Sequence, residues 1–306
     1  MQGSQKQGQK QKIYDIAGVK IGGERGETPT VLVGTIFYSG HKIVEDPKKG
    51  VFDKAKAEEI VNAQDEMADV TGNPCMVDVV GDFPEGMVKY LEFIADTTDS
   101  PFLLDGVNAE TRIHAVDYVK EVGLTSRAIY STISHTTKED ELQVIRDAGI
   151  ECAIVFAFST YDPTPEGKMG LLKSVDGGPG LLEMAEKAGV TKPIIDTAVL
   201  DISSLALSCK AIRMVKYEYG YPAGCAPANG MSLWKKARRE KMYYKACEAS
   251  ASVYTVSMGA DFILYGPITS ASTVFPAVAT YEALLGYGEK WSGVEQVEGH
   301  PVYKMF

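Results

Sequence analysis

The chain has 306 residues, of which 45% are hydrophobic and 24% are charged, a composition typical of a globular protein with one sizeable core. Its formal net charge of −10 disfavours binding to nucleic acid or to anionic membranes, and no apolar run approaches the roughly 20 residues that span a bilayer. The polar N-terminus lacks the apolar segment of a secretory signal, so we expect a cytoplasmic protein that does not insert into a membrane.

The first residues divide into two parts. Residues 1–12 are rich in Gln, Lys and Gly, which predicts a disordered tail before a single domain over 13–306. The segment 13–24, IYDIAGVKIGGE, alternates apolar with small or polar residues around a glycine turn. This pattern predicts a short hairpin, which we expect to close one end of a larger core.

The rest of the chain repeats one unit, in which a short apolar run precedes a polar turn and a long amphipathic stretch. The predicted strands are 30–38, 75–83, 101–106, 127–133, 152–158, 192–200, 221–227 and 260–266. The predicted helices are 53–71, 84–99, 109–123, 138–149, 179–190, 203–219, 235–258 and 270–287. Asp53 is a good N-cap for the first helix, and Gly72 is a good C-terminal stop.

Eight such units favour an α/β fold with a single closed (β/α)8 barrel, because an open doubly wound sheet usually has fewer strands. An open Rossmann sheet is the competing architecture, but the chain contains neither GxGxxG nor GxxxxGK[ST]. Two long connections, 38–50 and 159–180, both follow strand ends on the face where barrel enzymes bind their substrates. We interpret them as lids over that face in preference to surface decoration.

Cysteine and histidine spacing gives no metal signature. The five cysteines, at positions 75, 152, 209, 225 and 247, form no CxxC pair and have no His two to four residues away. This spacing predicts reduced thiols and no protein-bound metal. Of the four histidines, only His41 lies in one of the long loops, and it is the one that we would test for a role in function.

Polar residues at the ends of the predicted strands are the candidates for the active site, because the inner layers of a barrel are normally apolar. This set comprises Asp78, Asp82, Asp105, Asn108, Ser131, Thr132, Ser134, Asp196 and Asn229. Asp105 and Asp196 each end an apolar strand, where burial of an unpaired carboxylate would cost free energy of folding, so each is expected to bind a partner or a ligand. Helix capping is the alternative role for these two, but Asn108 is better placed to cap the helix that begins near 109.

Carboxylates, amides and hydroxyls without a basic cluster suit a neutral, flat heterocycle with several N–H donors. A pterin fits this description, because its exocyclic amino group and adjacent ring N–H can donate together to one carboxylate. The sequence favours two alternatives less. The loop after the last strand resembles a phosphate site only weakly, and Glu is scarce at the strand ends where a glycosidase would need it.

Several long runs of the sequence are distinctive, among them TPTVLVGTIFYSGHKIVEDPKKGVFDK, TDSPFLLD, LLEMAEKAGVTKPIID, MGADFILYGPI and HPVYKM. These runs resemble the H subunit of tetrahydromethanopterin S-methyltransferase, and the resemblance extends from about residue 13 to the C-terminus. The resemblance implies a barrel related to pterin-binding methyltransferases of corrinoid pathways. The same group includes soluble bacterial relatives that transfer methyl groups from a corrinoid protein to tetrahydrofolate, for example in glycine betaine demethylation.

The resemblance also implies roles for residues. The pterin is held by an Asp after strand 3, a polar residue after strand 4, an Asp after strand 6 and an Asn after strand 7. Here these map to Asp105, to Ser131 or Ser134, to Asp196 and to Asn229, and we count Asn108 as a further pterin contact. The serines depart from the asparagines of the methanogenic protein. Asn229 and Asp196 are the predicted catalytic residues: Asn229 contacts N5 of the pterin, while Asp105 and Asp196 anchor its pyrimidine end.

The implied reaction moves a methyl group from a methylcorrinoid to N5 of a tetrahydropterin. The chain lacks the D-x-H-x-x-G signature of corrinoid binding, so the corrinoid is expected on a partner protein that docks at the barrel mouth. The resemblance further implies a homodimer. Two alternatives remain open: the tetrahydromethanopterin-specific component of a membrane complex, and a pterin-binding barrel without catalytic activity.

The long loops suggest which pterin is bound. Lys168 and Lys173 lie in the second loop, and Lys42, Lys48 and Lys49 lie in the first. Each alone is most simply a solvated side chain. Together they predict a basic rim that suits the carboxylate tail of tetrahydrofolate, and the serines after strand 4 point in the same direction. The sequence therefore favours tetrahydrofolate over tetrahydromethanopterin.

Overall fold

A computed structural model describes residues 8–306 and shows a closed barrel of eight parallel strands. Two short strands, β1 (Ile13–Ile16) and β2 (Val19–Gly22), precede the barrel, and two more, β4 (Val44–Asp46) and β5 (Val51–Phe52), follow its first strand. In chain order, the barrel strands are β3 (Val31–Ile36), β6 (Cys75–Gly81), β7 (Phe102–Gly106), β8 (Ala128–Ile133), β9 (Cys152–Phe156), β10 (Lys192–Asp196), β11 (Ala223–Cys225) and β12 (Phe262–Pro267). The pairing of β12 with β3 closes the ring. The predicted (β/α)8 barrel is confirmed. Each barrel strand begins within two residues of its predicted start and ends within two residues of its predicted end, except β10, which ends four residues earlier than predicted.

Ten α-helices within the described residues connect or follow these strands. They are α1 (Lys54–Thr71), α2 (Pro84–Thr97), α3 (Ala109–Glu121), α4 (Glu139–Ala148), α5 (Pro165–Lys173), α6 (Leu181–Lys187), α7 (Leu205–Tyr219), α8 (Pro227–Leu233), α9 (Lys241–Ser257) and α10 (Ala271–Lys290). The side chain of Asp53 accepts a hydrogen bond from Lys56 N, and Gly72 ends α1 in the left-handed conformation. Both predicted ends of the first helix are therefore confirmed.

The predicted N-terminal hairpin consists of β1 (Ile13–Ile16) and β2 (Val19–Gly22), which pair antiparallel. Ile16 and Ile21 are buried in one cluster with residues from the first half of the barrel strands, such as Val31 and Phe262. The hairpin therefore closes the N-terminal end of the barrel, as the sequence predicted. A second, larger cluster packs the outer faces of the strands against the helices. Only the C-terminal ends of the strands remain open, and they form the mouth of the barrel.

Both long loops contain regular structure that the sequence did not predict. In the first loop, β4 (Val44–Asp46) and β5 (Val51–Phe52) form an antiparallel ribbon. The second loop contains α5, whose N-cap Thr164 accepts a hydrogen bond from Gly167 N. A further helix, α8, follows β11 directly and was also not predicted. Both helices begin with proline at their first turn, a position that proline favours.

The predicted disordered tail lies partly outside the described residues, which begin at residue 8. Within the described part, Gln9 N donates to Tyr217 O and Lys12 N donates to Gly220 O. Residues 9–12 therefore lie against the end of α7, a contact that the sequence did not predict. Among residues 8–306, no helix is long and apolar enough to cross a membrane.

Gly224 gives a stability prediction because β11 and β12 approach each other closely there. A Cβ atom at this position would lie 2.0 Å from the carbonyl oxygen of Phe262, which is backbone and cannot move aside. We expect Gly224→Ala to lower the free energy of unfolding by about 3 kcal/mol, the upper part of the range for overpacked cores. Gly170→Ala is the control, because a Cβ there meets nothing within 4 Å. Equal melting temperatures for the two variants would contradict this account of the β11–β12 contact.

Candidate active site at the barrel mouth

A cavity of about 360 Å³ opens at the C-terminal ends of the barrel strands. Its polar lining comes from β3, β6, β7, β8, β10 and α8, so residues far apart in the chain meet there. These polar residues are Thr35, Asp78, Asp105, Ser131, Thr132, Asp196 and Asn229. The apolar walls include Ile154 and Phe156 of β9 and Leu264 of β12. A flat ligand can therefore contact carboxyl, hydroxyl and amide groups while its faces pack on hydrocarbon.

Four of the six predicted site residues meet in this cavity: Asp105, Ser131, Asp196 and Asn229. Asn108 does not line it. Its Oδ1 accepts a hydrogen bond from Thr111 N at 2.9 Å, so the side chain caps α3. This is the capping role that the sequence also indicated, and it turns the amide away from the mouth.

Ser134 also lies outside the cavity lining. Its Oγ is 2.9 Å from Oγ1 of Thr136, within the turn that leads to α4. The chain has left the barrel wall at this residue, because β8 ends at Ile133. Of the two serines proposed as pterin contacts, only Ser131 is placed in the cavity.

Asp78 is a cavity residue that the sequence placed at a strand end but not among the pterin contacts. Its side chain is 3% exposed, and its Oδ2 accepts a hydrogen bond from the hydroxyl of Thr35 at 2.8 Å. Its Oδ1 is buried and has no hydrogen-bond partner within residues 8–306. A buried carboxyl oxygen without a hydrogen bond lowers the stability of the folded protein, so Asp78 is expected to bond to a ligand. The signal in the sequence is a lone acidic residue inside the apolar run CMVDVV.

The three carboxyl groups share one electrostatic property: each favours its protonated form more than a carboxyl in water does. Burial raises the pKa of Asp196 to about 6, although a hydrogen bond from Ala198 N and the charge of Lys168 oppose this shift. Burial also raises the pKa of Asp105 to about 6, against the opposing charge of Arg112. The pKa of Asp78 is raised well above its ordinary value by burial and by the neighbouring charge of Asp105. N–H donors from a ligand would stabilise the ionised carboxylates and so offset the free-energy cost of burying them.

Lys168 binds the backbone that follows Asp196 and does not contribute to a basic rim. Its side chain is buried, and its Nζ donates to Thr197 O at 2.6 Å, Ala198 O at 2.8 Å and Ser208 Oγ at 2.9 Å. The ammonium group therefore holds the backbone that follows Asp196. The predicted role of Lys168 in binding a ligand tail is wrong.

Lys173, the second lysine assigned to that rim from the second loop, forms an ion pair with Glu218 of α7 at 2.8 Å. In the first loop, Lys49 lies 3.9 Å from the carboxylate of Asp46. The two loops therefore do not present a continuous basic surface.

Arg112 plays the corresponding part for Asp105, because it binds the backbone that follows that residue. Its guanidinium donates to the carbonyl of Gly106, to the hydroxyl of Tyr130 and to the carboxylate of Glu141, with an ion-pair distance of 2.6 Å. Because Gly106 directly follows Asp105, this network fixes the end of β7. The backbone that follows Asp105 and the backbone that follows Asp196 are thus each held by a buried or half-buried cation.

His41 has a structural role. Its ring is buried and stacks on Tyr38 with 4.5 Å between ring centroids, and its Nδ1 accepts a hydrogen bond from Phe37 N. It therefore stabilises the turn after β3. Within residues 8–306, no group of three His, Cys, Asp or Glu side chains is arranged to hold a metal ion.

The raised carboxyl pKa values predict a pH-dependent stability of the ligand-free protein. A carboxyl whose pKa is higher in the folded than in the unfolded protein stabilises the fold at low pH. For Asp105 and Asp196, this stabilisation is lost as the pH rises through about 6. The Asp105→Asn, Asp196→Asn double variant cannot ionise at these positions. We expect it to melt several degrees above the wild type at pH 8 and to differ little at pH 4.5, as measured by calorimetry.

A melting difference that is the same at both pH values would contradict the assigned pKa shifts. Glu282 and His300, whose pKa values burial also shifts, are present in both proteins, so their effects cancel in the comparison. The pKa of Asp78 loses its contribution from the charges of Asp105 and Asp196, which adds to the expected difference in the same direction.

The fold and the mouth place the chain among the (β/α)8 barrels that bind their ligands at the C-terminal ends of the strands. Solved dihydropteroate synthases share the fold. That of Yersinia pestis with a pterine–sulfa conjugate aligns with a TM-score of 0.61 and 11% identity over 89% of this chain and 98% of its own. That of Xanthomonas albilineans with 7,8-dihydropteroate gives a TM-score of 0.58 and 15% identity over 89% and 98%.

The sequence profile of the tetrahydromethanopterin S-methyltransferase MtrH subunit matches residues 9–297, and the chain belongs to this family. It is 43% identical over 302 residues to the H subunit of tetrahydromethanopterin S-methyltransferase from Methanothermobacter marburgensis, an alignment that covers 96% of this chain and 97% of the relative. The corresponding protein of Methanocaldococcus jannaschii is 42% identical over 313 residues, covering 96% and 98%. The family indicated by the sequence runs is therefore confirmed.

Proposed function

We propose that this chain transfers a methyl group from a methylcorrinoid, carried by a partner protein, to N5 of a tetrahydropterin bound in the barrel mouth. One observation carries the proposal: three carboxyl groups and an amide face a single cavity in a chain of the MtrH family. The names of the relatives support the reaction class, and the carboxyl chemistry supports the pterin.

The carboxyls would hold the pyrimidine end of the pterin. Its exocyclic amino group and adjacent ring N–H donate to Asp105 or Asp196 as a paired contact, which is stronger when the acceptor is ionised. The pKa values of about 6 leave both groups largely ionised at neutral pH, ready to accept. Asp78, with its free Oδ1 and its raised pKa, offers either an acceptor or, when protonated, a donor to a ring nitrogen or carbonyl.

Asn229 would orient N5. It lies in the first turn of α8, is exposed to the mouth, and makes no side-chain hydrogen bond within residues 8–306. Its amide offers both donors and an acceptor, so it can follow N5 as the amine becomes a tertiary amine. An amide is not a base, so the N5 proton leaves to water. The contribution of the chain is thus proximity and orientation.

The methyl donor is expected to come from outside the chain, because the chain lacks the D-x-H-x-x-G corrinoid signature. The methylcorrinoid would supply a methyl group bound to cobalt. N5 would attack the methyl carbon as a nucleophile, the cobalt–carbon bond would break with its electron pair left on cobalt, and the N5 proton would leave to water. The open mouth gives N5 access to such a donor, while Phe156 and Leu264 shield the ring faces from water.

We propose tetrahydromethanopterin as the acceptor, on the strength of relatives 42–43% identical that are named for it. The preference for tetrahydrofolate relied on a basic rim, and the burial of Lys168 and the pairing of Lys173 remove that support. Tetrahydrofolate stays the second candidate because Ser131, a departure from the methanogenic pattern, lines the cavity.

Calorimetric titration of both pterins at one ionic strength distinguishes them. We expect the dissociation constant of tetrahydromethanopterin to be at least about tenfold lower, a difference of about 1.4 kcal/mol. Tighter binding of tetrahydrofolate would reverse the assignment of the pterin and leave the site in place.

A non-catalytic barrel would bind a pterin and leave the absorbance of free methylcobalamin unchanged, whereas the proposed enzyme removes its methyl group only when the pterin is present.

A further inference from the structure

An apolar groove of about 400 Å³ lies between α7 and α9, beside the barrel mouth. Its lining includes Ile202, Leu205, Trp234, Tyr243, Cys247 and Tyr254. Tyr243 is 50% exposed, and the neighbouring Leu233 and Met242 are 65% and 70% exposed. Large apolar side chains grouped in this way at a surface mark an interaction site more often than isolated ones do.

The segment that joins α8 to α9 is strongly basic. Between residues 235 and 245 the sequence has six basic residues and one acidic residue, in a chain whose net charge is −10. Lys235, Lys236, Arg238, Arg239 and Lys241 are exposed. None of the six cations forms an ion pair within residues 8–306, whereas nine other lysines and arginines in that part of the chain do. We call this segment together with the groove the α8–α9 patch.

The patch is continuous with the active site. The short helix α8 contributes Asn229 to the mouth cavity and ends at Leu233. Trp234, the next residue, already lines the groove. A partner seated on the patch therefore reaches the rim of the cavity next to the residue assigned to N5.

We propose that the α8–α9 patch docks the protein that carries the methyl donor, through an acidic surface with an apolar helix or ridge that fills the groove. This proposal rests on the proposed function. The unpaired cations would steer and orient an acidic partner, and burial of the groove side chains would supply affinity.

Two other occupants fit the patch less well. A symmetric dimer would place the same patch of two chains face to face, so six cations would oppose six cations. A membrane surface is flat and would leave the concave groove unfilled. An acidic protein with a protruding apolar element satisfies both the charge and the shape.

The test compares two charge-reversed proteins. The docking variant is Lys236→Glu, Lys241→Glu, and the control is Lys54→Glu, Lys120→Glu, at exposed positions elsewhere. Lys241 and Lys54 each occupy the first residue of a helix, where glutamate favours the helix dipole, so these two substitutions are matched for folding. Lys120→Glu lies in the last turn of α3, where a negative charge is unfavourable, so melting temperatures establish that both variants are folded before their kinetics are compared. The methyl donors are free methylcobalamin and a corrinoid-binding protein of the same organism loaded with methylcobalamin.

We expect the docking variant to raise KM for the protein-borne donor at least about tenfold and to leave the rate with free methylcobalamin unchanged. The control should match the wild type with both donors. Equal KM values for the docking variant and the control would overturn the proposal. So would selective loss of binding to phosphatidylglycerol vesicles, or selective loss of a dimer in ultracentrifugation, without a change in KM.

Failure of the proposed function gives a different result, because the wild type would then not use free methylcobalamin either. In that event, calorimetric binding of the corrinoid protein to the two variants still tests the patch. Weaker binding to the docking variant than to the control supports it, and equal binding overturns it. Tyr243→Asp, at a half-exposed groove position, should weaken the same binding while every cation of the basic segment is retained.

Discussion

Replacement of Asn229 by alanine is expected to lower kcat with methylcobalamin by about 100-fold, the scale of a misplaced reacting group, while the pterin dissociation constant changes little. The amide makes no side-chain hydrogen bond within the described chain, so its removal should not disturb the mouth. In the proposed function the amide contacts N5 as the reaction proceeds, and such an interaction appears in kcat more than in binding.

Asn108→Ala is the matched control, since it removes the same amide from a residue that also follows a barrel strand. Asn108 caps α3 outside the cavity, so its loss should cost about 1 kcal/mol of stability and leave kcat unchanged. If Asn229→Ala turned over at the wild-type rate, or if Asn108→Ala lost as much activity, N5 would not be oriented by Asn229.

Replacement of Asp105 by alanine is expected to weaken pterin binding by about 1.5–3 kcal/mol, the range for hydrogen bonds to a charged group. Asp105 lines the cavity at the end of β7, and its carboxyl accepts no hydrogen bond from the described part of the chain. In the proposed function Asp105 anchors the bound pterin, so the loss should appear in the calorimetric dissociation constant before any chemistry occurs.

Asp82→Ala serves as the control for this prediction. Asp82 directly follows β6 but does not line the cavity, so its removal should leave pterin affinity unchanged. Unchanged affinity in Asp105→Ala would instead mean that the carboxyl of Asp105 takes no part in holding the pterin.

The barrel could be predicted from the sequence because each barrel strand is a short apolar run at a regular distance from the next. The helices α5 and α8 could not, because PEGKMGLLK and PANGMSL begin with proline and contain glycine and so resemble turns. Their helical form depends on packing, of α5 against α7 and of α8 against α9 and β12, and for α5 also on the N-cap at Thr164. The missed α5 also explains the error at Lys168, since the helix turns that side chain inward to the backbone after Asp196.

Whether the sequence places a site residue correctly depends on how far that residue lies from the end of its strand. Asp105, Ser131 and Asp196 lie within strands, so alternation and strand position suffice to place them in the mouth. Asn108 and Ser134 follow the strands by one or two residues, where the local turn decides the direction of a side chain. The importance of Asp78 depends on its unpartnered oxygen, which only the three-dimensional packing reveals.

The position of a bound tetrahydropterin in a crystal structure of the complex tests the central claim most directly. We expect the pyrimidine edge to lie within about 2.7–3.2 Å of the carboxylates of Asp105 and Asp196, with N5 directed to Asn229. A second cavity, of about 650 Å³, lies near the N-terminal end of the barrel and includes Lys216, Asp261 and Glu282. A pterin bound in that cavity, or one in the mouth with N5 directed away from Asn229, would contradict the account.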